Sequence, residues 1–473
     1  MLPETSIGAR LATLAVRQPD AVLARCGQSV VTAAELEANT NRMARFFASL
    51  GVKEGDLVTI ALPNGLQFIE TALAVWKLGG VPQPVSFRLP GRELEAIIEI
   101  AAPSLVVGVP AERVSDRTVL PDGFVVNGDF PDGPLVEKFS PRMRAMTSGG
   151  STGRPKLIVD RRRAAAYGDP LLPWFSSVVI PGPLYHSAPF MMTMRSVMQG
   201  NETTIFARFD PEETLAAVDS TSATFLYCVP TMMSRMWKLM PEVRDSFDLS
   251  SLKVMLHAAA PCPEWLKRAW IGKLGERVVE MYASSEGAGR FIIKGNEWLD
   301  HPGSVGRPRQ GDAVRILDDH GLEVPTGTVG NVYMKSGGDR DFEYVGADQL
   351  QRVDGFVTVG DMGHVDEDGY LYLADRRTDL ILRGGANIFP AEVEAVIEEH
   401  PFVRSVAVVG VADDDLGQRV HAVVDAPRGI DETELREFVA ERLVLYKCPE
   451  TYLFVDGPIR DEAGKVRRSS LPG

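Results

Sequence analysis

Apolar residues recur with helical spacing in several parts of the chain and alternate with short β-rich runs. Residues 68–78 have helical spacing and stop at Gly79-Gly80, where glycine favours a left-handed cap. Residues 81–86 are typical of an extended strand, and residues 224–229 and 278–282 of buried strands. Helices alternating with strands predict an α/β fold, which offers ligand groups on the loops after its strands.

The pattern changes beyond about residue 376. Pro390 begins a helix that runs to residue 399, and its acidic residues suit the helix dipole at that end. Asp431 opens a second helix, with Leu435, Phe438, Val439 and Leu443 on one face. Three strands are predicted around them, at 405–409, 420–424 and 451–455. We therefore expect a large domain over residues 1–376 and a small α+β domain over residues 377–473.

Bulk properties limit the class of protein. A chain of 473 residues exceeds the roughly 250–300 residues at which single cores stop growing, so it should form more than one unit. The N-terminus shows no secretory signal, and no apolar run reaches the roughly 18–20 residues that span a bilayer. We expect a cytoplasmic protein without an integral membrane segment, and leave a homodimer open. Its formal charge of −14 argues against nucleic-acid binding.

Four widely separated cysteines, Cys26, Cys228, Cys262 and Cys448, predict neither a disulfide framework nor a structural zinc site. We expect them to be buried thiols.

The most informative segment is the glycine- and hydroxyl-rich run at 147–156, Thr-Ser-Gly-Gly-Ser-Thr-Gly-Arg-Pro-Lys. Glycines let successive backbone N–H groups converge on an anion, while hydroxyls add donors and Lys156 adds charge. The run lacks the Gly-Lys-Ser/Thr ending of Walker-type NTPases. It predicts a phosphate loop of another class, with a flexible linker as the alternative. The basic run 161–163 follows closely enough to assist, although charge runs are usually solvated.

Further motifs follow in a fixed order. They are Tyr282-Ala-Ser-Ser-Glu-Gly287, Gly303-Ser-Val-Gly-Arg-Pro308, Gly360-Asp361, Asp375-Arg376, the stretch from Gly384-Gly385 to Glu394, and Gly464-Lys465. With the phosphate loop, this order resembles the adenylate-forming superfamily of acyl-CoA synthetases, adenylation domains and luciferases. The resemblance covers most of the chain. It implies a large N-terminal domain of mixed sheets flanked by helices and a small mobile C-terminal domain.

The resemblance also implies the reaction. The stretches 183–189 and 257–263 look most like those of acyl-CoA synthetases acting on fatty, steroidal or aromatic acids. The expected enzyme is an ATP- and Mg²⁺-dependent carboxylic acid:CoA ligase of lipid metabolism that forms an acyl-adenylate, then acyl-CoA, AMP and pyrophosphate. Two alternatives stay open: a ligase that loads a separate carrier protein, and a catalytically silent acyl-nucleotide binder.

Site residues follow from matching positions. The phosphate-loop set is Ser148, Gly149, Gly150, Ser151, Thr152, Gly153 and Lys156, with Gly149 where many relatives have Ser. The other implied nucleotide contacts are Ala259, Tyr282, Ser285, Asp361 and Arg376. Gly384 and Gly385 are expected to line the thiol tunnel, and Thr378 occupies the hinge position.

Three positions carry the expected chemistry. Glu286 supplies the oxygen ligand that Mg²⁺ prefers, and the matching family residue holds that ion. Lys465 matches the family's catalytic lysine, a compact charge that bridges the substrate carboxylate and the α-phosphate. The family residue that matches His186 borders the acyl pocket, so His186 is expected to gate it; a structural histidine is the alternative. Asp361 suits the ribose, because a carboxylate accepts hydrogen bonds from two vicinal hydroxyls. The resemblance implies that Arg376 supports the same ribose. Between them, a turn at Asp368-Gly369 followed by a strand is expected to return the chain toward the site.

Overall fold

The protein is described from a computed structural model. The structure describes residues 5–114, 116–126, 129–149, 155–166, 176–338, 341–350, 352–376, 379–383, 386–413, 416–461, 464–466, 468 and 471; at 148, 149, 166, 375, 376 and 387 it describes the backbone alone. We call the described part up to residue 376 the large lobe and the part from residue 379 onward the small lobe.

Helices flank the sheets of both lobes. In the large lobe they are α1 (Ile7–Arg17), α2 (Ala33–Ser49), α3 (Leu66–Lys77), α4 (Gly91–Ala101), α5 (Ser187–Gln199), α6 (Pro211–Ser220), α7 (Pro230–Trp237), α8 (Pro241–Arg244), α9 (Glu264–Leu274) and α10 (Gly295–Asp300). In the small lobe they are α11 (Pro390–Glu398) and α12 (Glu432–Ala440). Short 3₁₀ turns lie at Ala111–Arg113, Gly275–Arg277 and Leu445–Lys447.

One long mixed sheet organises the large lobe. Its parallel part joins β2 (Val22–Cys26), β11 (Ser177–Ile180), β12 (Glu202–Ile205), β13 (Phe225–Cys228), β14 (Val254–Ala258) and β15 (Val278–Ala283). Its antiparallel part adds β3 (Ser29–Thr32), β16 (Arg290–Lys294), β17 (Ser304–Pro308), β18 (Ala313–Leu317), β19 (Gly330–Lys335), β21 (Arg352–Val353), β22 (Phe356–Val357), β23 (Asp361–Val365) and β24 (Leu371–Arg376).

Smaller sheets complete the large lobe. One joins β4 (Leu57–Ile60), β5 (Val81–Pro84), β6 (Leu105–Val107) and β7 (Thr118–Leu120), and a short pair joins β1 (Thr5–Ser6) and β10 (Ala165–Ala166). A further sheet joins β8 (Arg144–Gly149), β9 (Pro155–Asp160) and β20 (Phe342–Val345). The small lobe has its own sheet of β25 (Ile381–Arg383), β26 (Ala386–Ile388), β27 (Ser405–Asp413), β28 (Gly417–Asp425) and β29 (Thr451–Val455).

The predicted elements are present with small shifts of their ends. The helix predicted at 68–78 is α3, and the strands predicted at 224–229 and 278–282 are β13 and β15. Asp431 caps α12 by accepting hydrogen bonds from Thr433 and Glu434. Leu443 was predicted on that helix, but α12 ends at Ala440. The predicted fold class of a large mixed α/β domain followed by a small α+β domain is confirmed.

The hydrophobic core also divides between the lobes. One buried cluster fills the space between β11, β13, β14 and helices α7 and α9, and another lies wholly within the small lobe around Val393, Val406 and Val424. The small lobe therefore packs around a core of its own. Among the described residues, no helix is long and apolar enough to cross a membrane.

The cysteines correct one expectation. All four are free, as predicted, but only Cys228 is fully buried, while Cys26, Cys262 and Cys448 are partly accessible. Burial raises the pKa of the Cys228 thiol well above its usual range.

Candidate active site

The predicted phosphate loop connects the two strands of a hairpin. Strands β8 and β9 pair antiparallel, and the last pairs before the loop are Ser148 with Lys156 and Gly149 with Pro155. The predicted contacts Gly150, Ser151, Thr152 and Gly153 lie outside the described residues, as do the side chains at 148 and 149. On the strand leading into the loop, the Thr147 hydroxyl oxygen is buried and has no hydrogen-bond partner among the described residues. An oxygen in this position can still donate a hydrogen bond to a ligand.

Tyr344 connects the hairpin to the predicted metal ligand. Strand β20 pairs with β9 and places Tyr344 opposite Ile158, two residues from Lys156. The Lys156 ammonium lies 3.6 Å from the centroid of the Tyr344 ring, and the Tyr344 hydroxyl donates a hydrogen bond of 2.7 Å to Glu286 Oε1. Lys156 and Glu286, which are 130 positions apart in the sequence, are thus connected through the Tyr344 side chain. Sequence reasoning missed Tyr344, because no motif surrounds it.

Burial, reinforced by the adjacent Glu286 carboxylate, raises the pKa of Tyr344 well above its usual range. Its hydroxyl therefore stays protonated and acts as a donor. Its ring at the same time presents a negative face to the Lys156 ammonium. Tyr344 thus contacts one cation through its ring and one anion through its hydroxyl.

A second group of connected side chains contains Asp361, the predicted ribose contact. Tyr282, near the end of β15, donates a hydrogen bond from its hydroxyl to Asp361 Oδ2. Asp361 begins β23 and pairs with Arg376 at the end of β24, so the two predicted ribose residues are cross-strand neighbours. The Arg376 side chain itself lies outside the described set. The turn at Gly369, which has φ of +83°, returns the chain between them as the sequence predicted.

The remaining predicted nucleotide contacts lie on the loops after β14 and β15. Ala259 has φ of +77°, a left-handed conformation that costs energy for any residue with a Cβ. Such strain is often found where a backbone is shaped for a ligand. Ser285 lies beside Ser284, whose hydroxyl oxygen is buried without a hydrogen-bond partner among the described residues.

His186 lies immediately before α5 and faces the small lobe. Its imidazole Nε2 is buried without a hydrogen-bond partner among the described residues, and it lies 4.0 Å from Asp461 Oδ2. Burial lowers the pKa of His186 to about 4, the Asp461 carboxylate opposes that shift, and the Lys465 ammonium adds to it. The imidazole is therefore neutral at physiological pH. The predicted gate residue and the predicted catalytic lysine are thus close enough to interact electrostatically.

The turn that carries Lys465 is packed against the large lobe. Gly464 has φ of +76°, and a Cβ added to it would lie 3.3 Å from the Thr231 hydroxyl at the start of α7. A side chain larger than hydrogen would strain both the turn and this contact. The neighbouring residues Arg460 and Val466 pair across the turn in an antiparallel bridge.

A second contact between the lobes lies at the end of α7. The Lys238 ammonium donates a hydrogen bond of 2.8 Å to the backbone carbonyl of Val403 in the small lobe. Burial lowers the pKa of Lys238, while the Glu398 carboxylate of the small lobe partly offsets this effect. The lobes therefore meet through a hydrogen bond at Lys238 and an electrostatic contact at His186.

Other predictions have plainer outcomes. In the basic run, Arg161 pairs with Asp341, and the Arg162 guanidinium donates two hydrogen bonds to Asp160, so these arginines serve at least partly in structural ion pairs. Gly384, Gly385 and Thr378 lie outside the described residues; Arg383 and Ala386 on either side of the two glycines pair as a hairpin. Within the described part of the chain, no group of three or more His, Cys, Asp or Glu side chains could hold a metal ion.

The chain matches two families in sequence. Residues 11–338 match the AMP-binding enzyme family, and residues 392–465 match the AMP-binding enzyme C-terminal domain.

Individual relatives match almost the whole chain. Feruloyl-CoA synthase of Amycolatopsis sp is 30% identical over 96% of this chain and 96% of that protein. The 2-succinylbenzoate--CoA ligase of Geobacillus kaustophilus is 31% identical over 96% of this chain and 95% of that protein. The o-succinylbenzoate CoA synthetase of Bacillus subtilis, solved with its acyl-adenylate intermediate, has a TM-score of 0.84 at 23% identity, covering 99% and 98% of the two chains. It has also been solved with ATP and a magnesium ion.

Proposed function

The chain belongs to the AMP-binding enzyme family, and from this membership and the site geometry we propose that it is an ATP-dependent carboxylic acid:CoA ligase. The acid is first activated as an acyl-adenylate with release of pyrophosphate. CoA then displaces AMP to give the acyl-CoA thioester. The observation that supports this proposal most is the packing of the Lys465 turn beside His186, because it brings a mobile cation to the large-lobe site.

The first half-reaction brings an anionic carboxylate to a polyanionic triphosphate, so the protein must supply converging positive charge. Lys156 on the hairpin and Lys465 on the small lobe are the two cations assigned to this task. Thr147 and Ser284 add buried hydroxyls whose hydrogen-bonding capacity is unused by the described residues. The nucleoside end of ATP is assigned to Asp361, Arg376, Tyr282, Ala259 and Ser285.

The residues present fit a magnesium ion. The Tyr344 hydroxyl already orients the Glu286 carboxylate through Oε1, and the other carboxylate oxygen can coordinate the ion. Bound there with ATP, Mg²⁺ would neutralise phosphate charge. Replacing Glu286 by Gln keeps an acceptor for Tyr344 and removes the charge. We expect the Mg²⁺ concentration for half-maximal ATP–pyrophosphate exchange to rise; an unchanged Mg²⁺ dependence would remove Glu286 from this role.

The second half-reaction requires the Lys465 turn to leave. We propose that residues 377–473 act as the mobile domain and residues 1–376 as the adenylation domain, with the hinge at Thr378. Gly384 and Gly385 are then the residues assigned to the thiol tunnel. A small lobe with its own hydrophobic core can rotate as a unit, because that core lies wholly within the lobe.

The acid itself is proposed to be aromatic. The named relatives act on ferulate and 2-succinylbenzoate, both of which carry a ring next to a polar group. The expectation of fatty-acid or lipid metabolism stays a prediction. Met194 of α5 and Met233 of α7 are buried in two different core clusters, so core packing accounts for them and the proposal of an aromatic acid rests on the relatives.

The test is ATP–pyrophosphate exchange with a panel of aryl, fatty and steroid acids, followed by product analysis with CoA and with a carrier protein. We expect exchange to be fastest with an aryl acid and the thioester to form on CoA. Exchange with none of the acids would support a silent binder, and product on the carrier protein alone would support the alternative ligase.

A further inference from the structure

The turn before Lys465 contains a side chain that contacts both lobes. Asp461 lies four residues before Lys465, and its two carboxylate oxygens face different groups. Oδ1 accepts a hydrogen bond of 2.9 Å from the backbone N–H of Lys465. Oδ2 lies 4.0 Å from Nε2 of His186 in the large lobe.

The backbone of Asp461 closes the same turn. Its N–H donates to the Lys465 carbonyl and its own carbonyl accepts from the Gly464 N–H, both at 2.9 Å. Together with the side-chain bond, these contacts join Asp461 to Gly464 and Lys465. Because Gly464 lies against Thr231, they also connect Asp461 and Lys465 to the large lobe.

We propose that Asp461 is a positioning residue that sets the Lys465 turn with one oxygen and the His186 imidazole with the other, so that lysine and gate are ordered together only while the lobes are docked. This inference rests on the proposed function of Lys465. It extends that function by naming the side chain that connects it to the large lobe.

The electrostatics give Asp461 a direct effect on His186. Among the described residues, Asp461 and Lys465 of the small lobe are the charged groups that act on this imidazole, and the Tyr185 ring lies 4.6 Å away between centroids. A carboxylate beside Nε2 favours the neutral tautomer with its proton on that nitrogen. His186 then presents Nδ1 as an acceptor. Separation of the lobes removes this preference.

Three variants separate these contacts. Asp461→Ala removes both oxygens, whereas Asp461→Asn retains an acceptor for the Lys465 N–H and removes the charge next to His186. Asp456→Asn is the matched control, since Asp456 is exposed, lies in the same lobe and gives the same change in charge. Ferulate and 2-succinylbenzoate serve as the probe acids, and feruloyl-adenylate with CoA isolates the second half-reaction.

We expect Asp461→Ala to slow ATP–pyrophosphate exchange about tenfold and to leave thioester formation from supplied feruloyl-adenylate unchanged. Asp461→Asn should fall between Asp461→Ala and the wild type, and Asp456→Asn should match the wild type. Equal losses in both half-reactions, or an Asp461→Ala rate equal to that of the control, would overturn the proposal.

A second measurement needs no acid. Imidazole NMR of the full chain at pH 7, with the His186 signal assigned from the spectrum of His186→Gln, reports the tautomer. Asp461→Ala should move the His186 signals and Asp456→Asn should not. Unchanged signals in Asp461→Ala would refute the contact even if the enzyme accepts neither acid, whereas a wild type inactive with every acid of the panel would count against the proposed function alone.

Discussion

The two halves of the candidate site are held in different ways. In the large lobe, Lys156, Tyr344 and Glu286 are fixed by strand pairing and by direct contacts within one folded unit. Lys465 reaches the site only through packing between lobes and through polar contacts such as that of Lys238. The first arrangement persists as long as the lobe is folded. The second can be made and broken during turnover, which is what an enzyme with two successive half-reactions requires.

Removing Lys465, the cation that we propose to be mobile, should have the largest effect. Lys465→Ala is expected to lower ATP–pyrophosphate exchange by about 10²–10³-fold, because one charge that stabilises the transition state is lost. Thioester formation from supplied acyl-adenylate should be largely retained. The two rates are measured separately on the same preparation. If exchange and thioester formation fall equally, the proposal that Lys465 serves only the first half-reaction is wrong.

The fixed half should respond differently. Tyr344→Phe keeps the ring under Lys156 and removes the hydrogen bond to Glu286. We expect exchange to fall about tenfold, roughly the value of one hydrogen bond to a charged group, with the main change in the apparent KM for MgATP. Tyr344→Leu also removes the ring and should lower exchange further. Equal rates for the Phe and Leu variants would mean that the ring does not position Lys156.

These residues also show what the sequence could and could not predict. Asp361 and Arg376 were predicted to act together, because the sequence indicated a turn at Gly369 and a strand after it. The register of β23 and β24 makes the two residues neighbours. Tyr344 was not predictable, because it meets Glu286 only through the pairing of β20 with β9. Pairing between distant strands depends on tertiary packing that local patterns do not encode.

The contacts between the lobes could not be predicted from the sequence for a related reason. Asp461 and Lys238 are charged residues of the kind usually exposed to solvent, and their partners belong to the other lobe. The family resemblance identified Lys465 by its position in a motif. It could not indicate which neighbours hold that lysine in place.

Weakening the interface between the lobes, with the proposed catalytic residues left in place, should have a smaller effect on exchange. Lys238→Met removes the donor to the Val403 carbonyl and keeps the length of the side chain. We expect exchange to fall about threefold, within the range for a partly exposed polar contact, and thioester formation to stay unchanged or rise. Lys253→Met is the control, because Lys253 is exposed in the same lobe. A fall in both half-reactions would argue against a contact that favours one lobe arrangement.

The smallest expected effect is on the pH dependence of stability. It compares a histidine within the large lobe with one at the lobe interface. His257 is fully buried within the large lobe between β13 and β15, where burial lowers its pKa to about 4, with the Glu280 carboxylate opposing this and the Lys267 ammonium adding to it. Burial at the lobe interface likewise lowers the pKa of His186 to about 4. Both imidazoles are therefore neutral in the folded protein at pH 7.

The sign of the pH effect follows from proton binding. Between pH 6.5 and about 4 the unfolded chain binds protons at these histidines and the folded chain does not, so stability falls as the pH is lowered through that window. Each group contributes up to about 1.4 kcal/mol per pH unit. His257→Leu should reduce the slope of unfolding free energy against pH, measured by urea denaturation. His186→Leu should reduce it less, because small-lobe separation exposes His186 before the large lobe unfolds, whereas His257 stays buried until the core itself opens. Equal reductions would mean that the lobes separate only when the whole chain unfolds.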